Sequence, residues 1–177
     1  MKYVFLLAVY LFSVTTQTGE PVWMSKLRQI EILKSKREDV ERIFDSLQIV
    51  KTKDLSDKGK TGWTEYIEYK TKDGDLTVYY AIGRCAELPY KLGYDVEKGV
   101  VVKIEFEPRK RIPIEQLNFD YKTFDWGYTD DVPGSYSGGN NELGVDIYFT
   151  NKKLNRIEFD IPSSKYYLDC EQIIKEQ

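Results

Sequence analysis

Gly99-Val100-Val101-Val102-Lys103-Ile104-Glu105-Phe106-Glu107 is the last of three strands predicted between Trp63 and Glu107, and its reading decides the fold. Val100, Val102, Ile104 and Phe106 fall on one face and Val101, Lys103 and Glu105 on the other, the period of a half-buried strand. Working back, Trp63 to Lys70 and Asp75 to Ile82 read as two further strands. Lys72-Asp73-Gly74-Asp75 joins them, with Asp-Gly supplying the positive φ angles of a tight hairpin. A sheet with one apolar face needs a cover.

The cover is predicted just upstream. Ser35-Lys36-Arg37-Glu38 has the form of a capping box, and Val40, Ile43, Phe44 and Leu47 follow at i, i+3, i+4 and i+7. The expected fold is therefore α+β: an antiparallel sheet covered on one face by a capped amphipathic helix. The helix stripe is expected to pack on Val100, Val102, Ile104 and Phe106. Before it, Trp23, Met24, Leu27, Ile30 and Leu33 recur at helix-like intervals, in a short helix or an extended lead-in. Lys51 to Gly62 and Cys85 to Lys98 lack periodicity and read as surface connections.

Downstream, Pro113 opens one helical turn at Ile112 to Leu117, and Phe119 to Trp126 is a further strand. Gly127 to Gly144 reads as irregular because of its glycines, its proline and Asn140-Asn141. Val145, Ile147 and Phe149, then Ile157, Phe159 and Ile161, alternate with polar residues on either side of a turn at Asn151 to Lys153, which predicts a hairpin. Ser163 to Gln177 ends in a short helix.

Lys103-Ile104-Glu105-Phe106-Glu107-Pro108 is echoed by Arg156-Ile157-Glu158-Phe159-Asp160-Ile161-Pro162, and Thr77-Val78-Tyr79-Tyr80 by Asp146-Ile147-Tyr148-Phe149. Either the chain holds two diverged helix-plus-sheet units, over 22–110 and 111–177, or strands with the same alternation look alike by necessity.

The start of the chain is read separately. An apolar run from Tyr3 to Phe12 follows Met1-Lys2 and precedes a small, polar segment, so residues 1–18 are expected to be a signal peptide. The run is shorter than the about 20 residues that a spanning helix needs. The remaining 19–177 form one α+β domain in a secreted or periplasmic protein, with no membrane span after cleavage. Removing Lys2 leaves 25 basic against 29 acidic side chains, a net charge of −4. That balance argues against a nucleic-acid partner, and the one dense basic run, Arg109-Lys110-Arg111, lies between Pro108 and Pro113. Cys85 and Cys170, an even count in an oxidising compartment, are expected to form a disulfide.

Leu33-Lys34-Ser35-Lys36-Arg37-Glu38-Asp39-Val40-Glu41-Arg42-Ile43-Phe44, followed by an aromatic hairpin and a Gly-Val-Val strand, resembles the helix-then-sheet pattern of SmpA/OmlA-like envelope modules and of the beta-lactamase-inhibitor-protein fold. It is also similar to secreted bacterial proteins of the same layout. The families' usual glycine before the helix is Lys34 here, and their glycine-proline pair after it is Asp45-Ser46. The resemblance implies protein binding and no catalysis, and carries no site residues.

The chain contains no histidine, which removes Ser-His-Asp and Cys-His catalysis and His-ligated metals. No phosphate-binding glycine loop or calcium loop is present, so neither a cofactor nor a metal is expected. Asp125, Asp130, Asp131 and Glu142 leave one enzymatic alternative, a small hydrolase acting on glycans through a carboxylate pair. The leading expectation is a binding module for a protein or a glycan. Its tentative site is Trp126, Tyr128 and Tyr136 with Asp130 and Asp131, because tyrosine and tryptophan offer stiff, amphipathic contact area. The same aromatics could instead fold back as a lid on the sheet.

Overall fold

The computed structural model describes residues 19–54, 65–81, 83–85, 93–128, 133–168 and 170. Eight strands form one antiparallel sheet: β1 (Gln48–Asp54), β2 (Glu65–Lys70), β3 (Gly74–Tyr80), β4 (Val101–Pro108), β5 (Asp125–Tyr128), β6 (Ser135–Asn140), β7 (Val145–Thr150) and β8 (Lys153–Phe159). Their order is β1-β2-β3-β4-β8-β7-β6-β5. Each half of the chain is thus a four-stranded meander, and the two halves join where β4 pairs with β8.

This overturns the expected helix-covered sheet, because the described helices, α1 (Val22–Leu27) and α2 (Arg37–Ile43), have only six and seven residues. Helices of fewer than two turns each cannot cover eight strands. The local reason lies in Ser35, which does not cap α2. Its hydroxyl accepts from the Glu31 amide at 2.9 Å, and its carbonyl accepts from the Val101 amide at 2.8 Å, tying it to β4. Lys36 becomes the N-cap, with its amide donating to the Asp39 carboxylate at 2.9 Å. At the other end Phe44 leaves the helix with extended backbone.

The cover is instead assembled from pieces. Trp23, Met24 and Leu27 of α1, Ile30, Val40 of α2, Phe44, Leu117 and Phe124 close over Ile67, Leu76, Val78, Ile104, Phe106, Ile147 and Ile157 of the sheet. Val100 and Val102 are not in this core. Tyr79 pairs with Lys103 but Tyr80 with Val101, so Val102 is an extra residue in β4. This bulge puts Val101 with Ile104 and Phe106, and leaves Val100 and Val102 in a small separate cluster with Ala81 and Ile161.

Several connections also differ from expectation. Residues 51–54 belong to edge strand β1, which sequence periodicity misses because Lys51 and Lys53 flank Thr52; such charges are how exposed edges are kept from pairing with other chains. Residues 119–124 hold a 3-10 turn, Tyr121–Thr123, before β5 begins at Asp125. The segment 127–144, expected to be irregular, contains half of β5 and all of β6. Gly74 does not have the expected positive φ. It starts β3, where a Cβ would run into the Glu107 carbonyl, and the turn is held by the Thr71 hydroxyl, which accepts from the Asp73 and Gly74 amides at 3.1 and 3.0 Å.

The second hairpin forms as its alternation predicts, with β7 and β8 joined by Asn151 and Lys152 at φ 51° and 60°, as a tight hairpin turn requires. The echoed segments fall on equivalent strands. Ile104, Glu105 and Phe106 pair with Phe159, Glu158 and Ile157, a register symmetric about Glu105 and Glu158. Tyr148 pairs with Arg156 and Phe149 with Leu154, so Asn155 is an extra residue in β8, immediately before Arg156, as Val102 is immediately before Lys103.

Candidate functional site

Strand β5 ends the sheet, and all four of its residues are exposed. Trp126 pairs with Gly138, Tyr128 with Tyr136, and Tyr136 with Phe149. Directly paired residues share a face, so Trp126, Tyr128, Tyr136 and Phe149 form one aromatic group on the side of the main core, beyond the end of its cover. Trp126, Tyr128 and Tyr136 are 46%, 56% and 44% exposed.

The group is held in place from below. The indole of Trp126 lies on Gly138, where any Cβ would collide with its six-membered ring. Its Nε1–H donates to the Tyr121 carbonyl at 3.3 Å. Phe124 stacks beside it at 5.8 Å, Tyr121 is tilted at 6.0 Å, and Phe149 meets it edge-on at 5.7 Å. Tyr136 stacks on Phe149 at 5.6 Å, and Tyr128 stands edge-on to Tyr136 at 5.4 Å. Phe124 and Phe149 are buried, so the exposed rings rest on a rigid floor continuous with the core.

The structure therefore brings together three of the five expected site residues, Trp126, Tyr128 and Tyr136. Asp130 and Asp131 lie outside the described residues. Of the other carboxylates in the enzymatic alternative, Asp125 is opposite Gly139, on the reverse side from Trp126, and Glu142 is in the exposed turn between β6 and β7. Sequence reasoning missed Gly138 and Tyr121. Gly138-Gly139 reads as a mark of irregular chain, but in a strand glycine also marks close approach of a neighbour: the Trp126 ring at Gly138, the Asp146 carboxylate at Gly139.

The reverse face carries polar side chains around the symmetric register. The Lys103 ammonium bridges Glu105 at 3.0 Å and Glu158 at 2.6 Å, and Arg156 binds Glu158 at 2.8 Å. Lys103 lies over the ring of Tyr79 at 5.8 Å and Arg156 over that of Tyr148 at 4.2 Å, equivalent contacts in the two meanders. Burial would lower the pKa of Lys103, but hydrogen bonds and charge from Glu158 and Glu105 outweigh it and raise it. Burial, with Glu105 nearby, pushes Tyr79 up to about 12. Burial, with Glu115 nearby, does the same to Tyr121.

These three groups hold their protons more tightly folded than unfolded, where tyrosine and lysine titrate near about 10 to 10.4. Their contribution is complete below about pH 10 and is lost as pH rises toward the folded values. Melting temperature should therefore fall steadily between about pH 10 and 12, and Tyr79→Phe should flatten part of the fall. A melting temperature that stays level over that window would contradict these environments.

Cys85 and Cys170 are disulfide-bonded, with Cα atoms 5.2 Å apart. Among the described residues no helix is long and apolar enough to cross a membrane, and no group of three or more acidic or cysteine side chains is placed to hold a metal ion. Compared with protein-family models, curated proteins and solved structures, the chain matches none.

Proposed function

We propose that the protein is a secreted or periplasmic binding module that holds a protein or glycan ligand on the platform of Trp126, Tyr128 and Tyr136. The observation that carries this reading is three adjacent aromatic side chains, each about half exposed, fixed on a rigid floor at the free end of the sheet. A lid would bury these rings. Rigid aromatic groups lose little conformational entropy on binding and give large contact area, which is why they concentrate in recognition surfaces. The disulfide and the lack of a membrane-crossing helix among the described residues are compatible with export. The resemblance to envelope modules points to binding as well.

Replacing Trp126, Tyr128 and Tyr136 together with alanine should abolish retention on envelope or polysaccharide preparations that capture the parent protein. Stability should fall by only about 1 kcal/mol per ring, since each is half buried. Unchanged retention with a large drop in melting temperature would reject the binding surface and make these rings part of the core.

A further inference from the structure

We infer that the ligand of the aromatic platform is an uncharged glycan, with one sugar ring stacked on the outer face of Trp126 and its neighbours beside Tyr128 and Tyr136. This rests on the platform being a binding surface, and it names the chemistry that the surface takes.

Three observations carry it. First, the geometry of Trp126 is that of a fixed shelf. One side of the indole lies against the Gly138 backbone, its N–H is held by the Tyr121 carbonyl, and the ring remains 46% exposed. A sugar ring presents a face of C–H groups ringed by hydroxyls, and a flat aromatic ring with phenol groups beside it matches both parts.

Second, the size is right for a few sugar rings and too small for a protein. Aromatic side chains offer roughly 150–250 Å² each, so three of them about half exposed present on the order of 300 Å². A stable protein interface covers about 800 Å² on each partner. The flanking β5 residues, Asp125 and Gly127, face the reverse side and do not extend the apolar area.

Third, the strands of the platform bring no cation to hold an anionic ligand. None of the residues of β5, β6 and β7 is a lysine or arginine, and their two carboxylates, Asp125 and Asp146, lie with Gly139 on the reverse face. Nucleic acids, phospholipid headgroups and acidic polysaccharides all need cations at their binding sites. Hydroxyl groups do not, and the exposed phenols of Tyr128 and Tyr136 can donate hydrogen bonds to them and accept from them.

The test uses the mature protein in native affinity electrophoresis through gels containing a neutral β-1,4-glucan, a β-1,3-glucan, an α-1,4-glucan, a galactomannan or soluble chitin oligosaccharides. Alginate serves as the anionic comparison and oligolysine in solution as the cationic one. At least one neutral glycan should retard the protein, and alginate should not. Trp126→Ala should weaken that retardation by about 30-fold, the loss expected at a binding hot spot, while Trp126→Tyr keeps most of it. Retardation by a neutral glycan that Trp126→Ala leaves unchanged would overturn the platform itself. No retardation by any neutral glycan, while Trp126→Ala still abolishes capture of envelope protein, would overturn the glycan assignment and leave the platform standing. Binding to alginate or oligolysine alone would also overturn it.

Discussion

Reduction of the Cys85–Cys170 disulfide should lower the stability of the folded protein by about 4 to 5 kcal/mol in the chain-entropy model, because the bond closes a span of 85 residues. For a chain of this length that corresponds to a fall in melting temperature of roughly 8 to 20 °C. The bond has structural work on both sides. Cys85 follows the chain leaving β3, and Cys170 follows the tail leaving β8, so the link joins the first meander to the end of the second. Beside it the Cys170 amide donates to the Gly93 carbonyl at 2.9 Å. Denaturant unfolding with and without reductant measures the effect, and a Cys85→Ala, Cys170→Ala double variant separates loss of the bond from chemical side effects. Full reaction of the purified protein with a thiol probe before reductant is added would show that the bond is not formed.

Phe106→Ala should cost about 3 to 5 kcal/mol, the range for removing a fully buried ring that its surroundings cannot replace. Phe106 has no exposed surface, stacks on Trp23 at 4.6 Å, and pairs with Leu76 of β3 on one side and Ile157 of β8 on the other. It therefore links the helix cover, the first meander and the seam between the meanders. Tyr128→Ala is the matching control, an aromatic truncation at the exposed end of the same face that should cost about 1 kcal/mol. Similar losses for the two variants would mean that the core is not centred where the register puts it.

Much of this fold was legible wherever one face of a strand is apolar and the other polar. β3, β4, β7 and β8 fall close to where alternation put them, and the echo between the halves fell on equivalent strands. What was not legible has three physical causes. An edge strand such as β1 hides its period because it carries charged and polar residues where a half-buried strand would alternate apolar ones. A bulge such as that at Val102 changes which residues face the core without changing their types, so Val101 and Val102 exchange roles invisibly. Third, small residues serve more than one geometry: Ser35 matched a helix cap but holds the chain to β4, and Gly138 matched irregular chain but makes room for an indole. The candidate site was legible as composition, in its aromatics, and illegible as arrangement, because the glycine that seats Trp126 looked like the reason to expect no strand at all.

The junction of β4 and β8 also bears on how the chain can assemble. Every other strand pairing in the sheet joins strands that are neighbours in sequence, so each meander can zip up through local contacts, which form quickly. The three residue pairs of the seam are different, since each joins positions about fifty residues apart and gains little until both meanders exist. During synthesis the first meander can be complete before β8 has left the ribosome. Until β8 arrives, β4 is an open edge bearing Ile104 and Phe106, at which pairing with a second copy competes with folding.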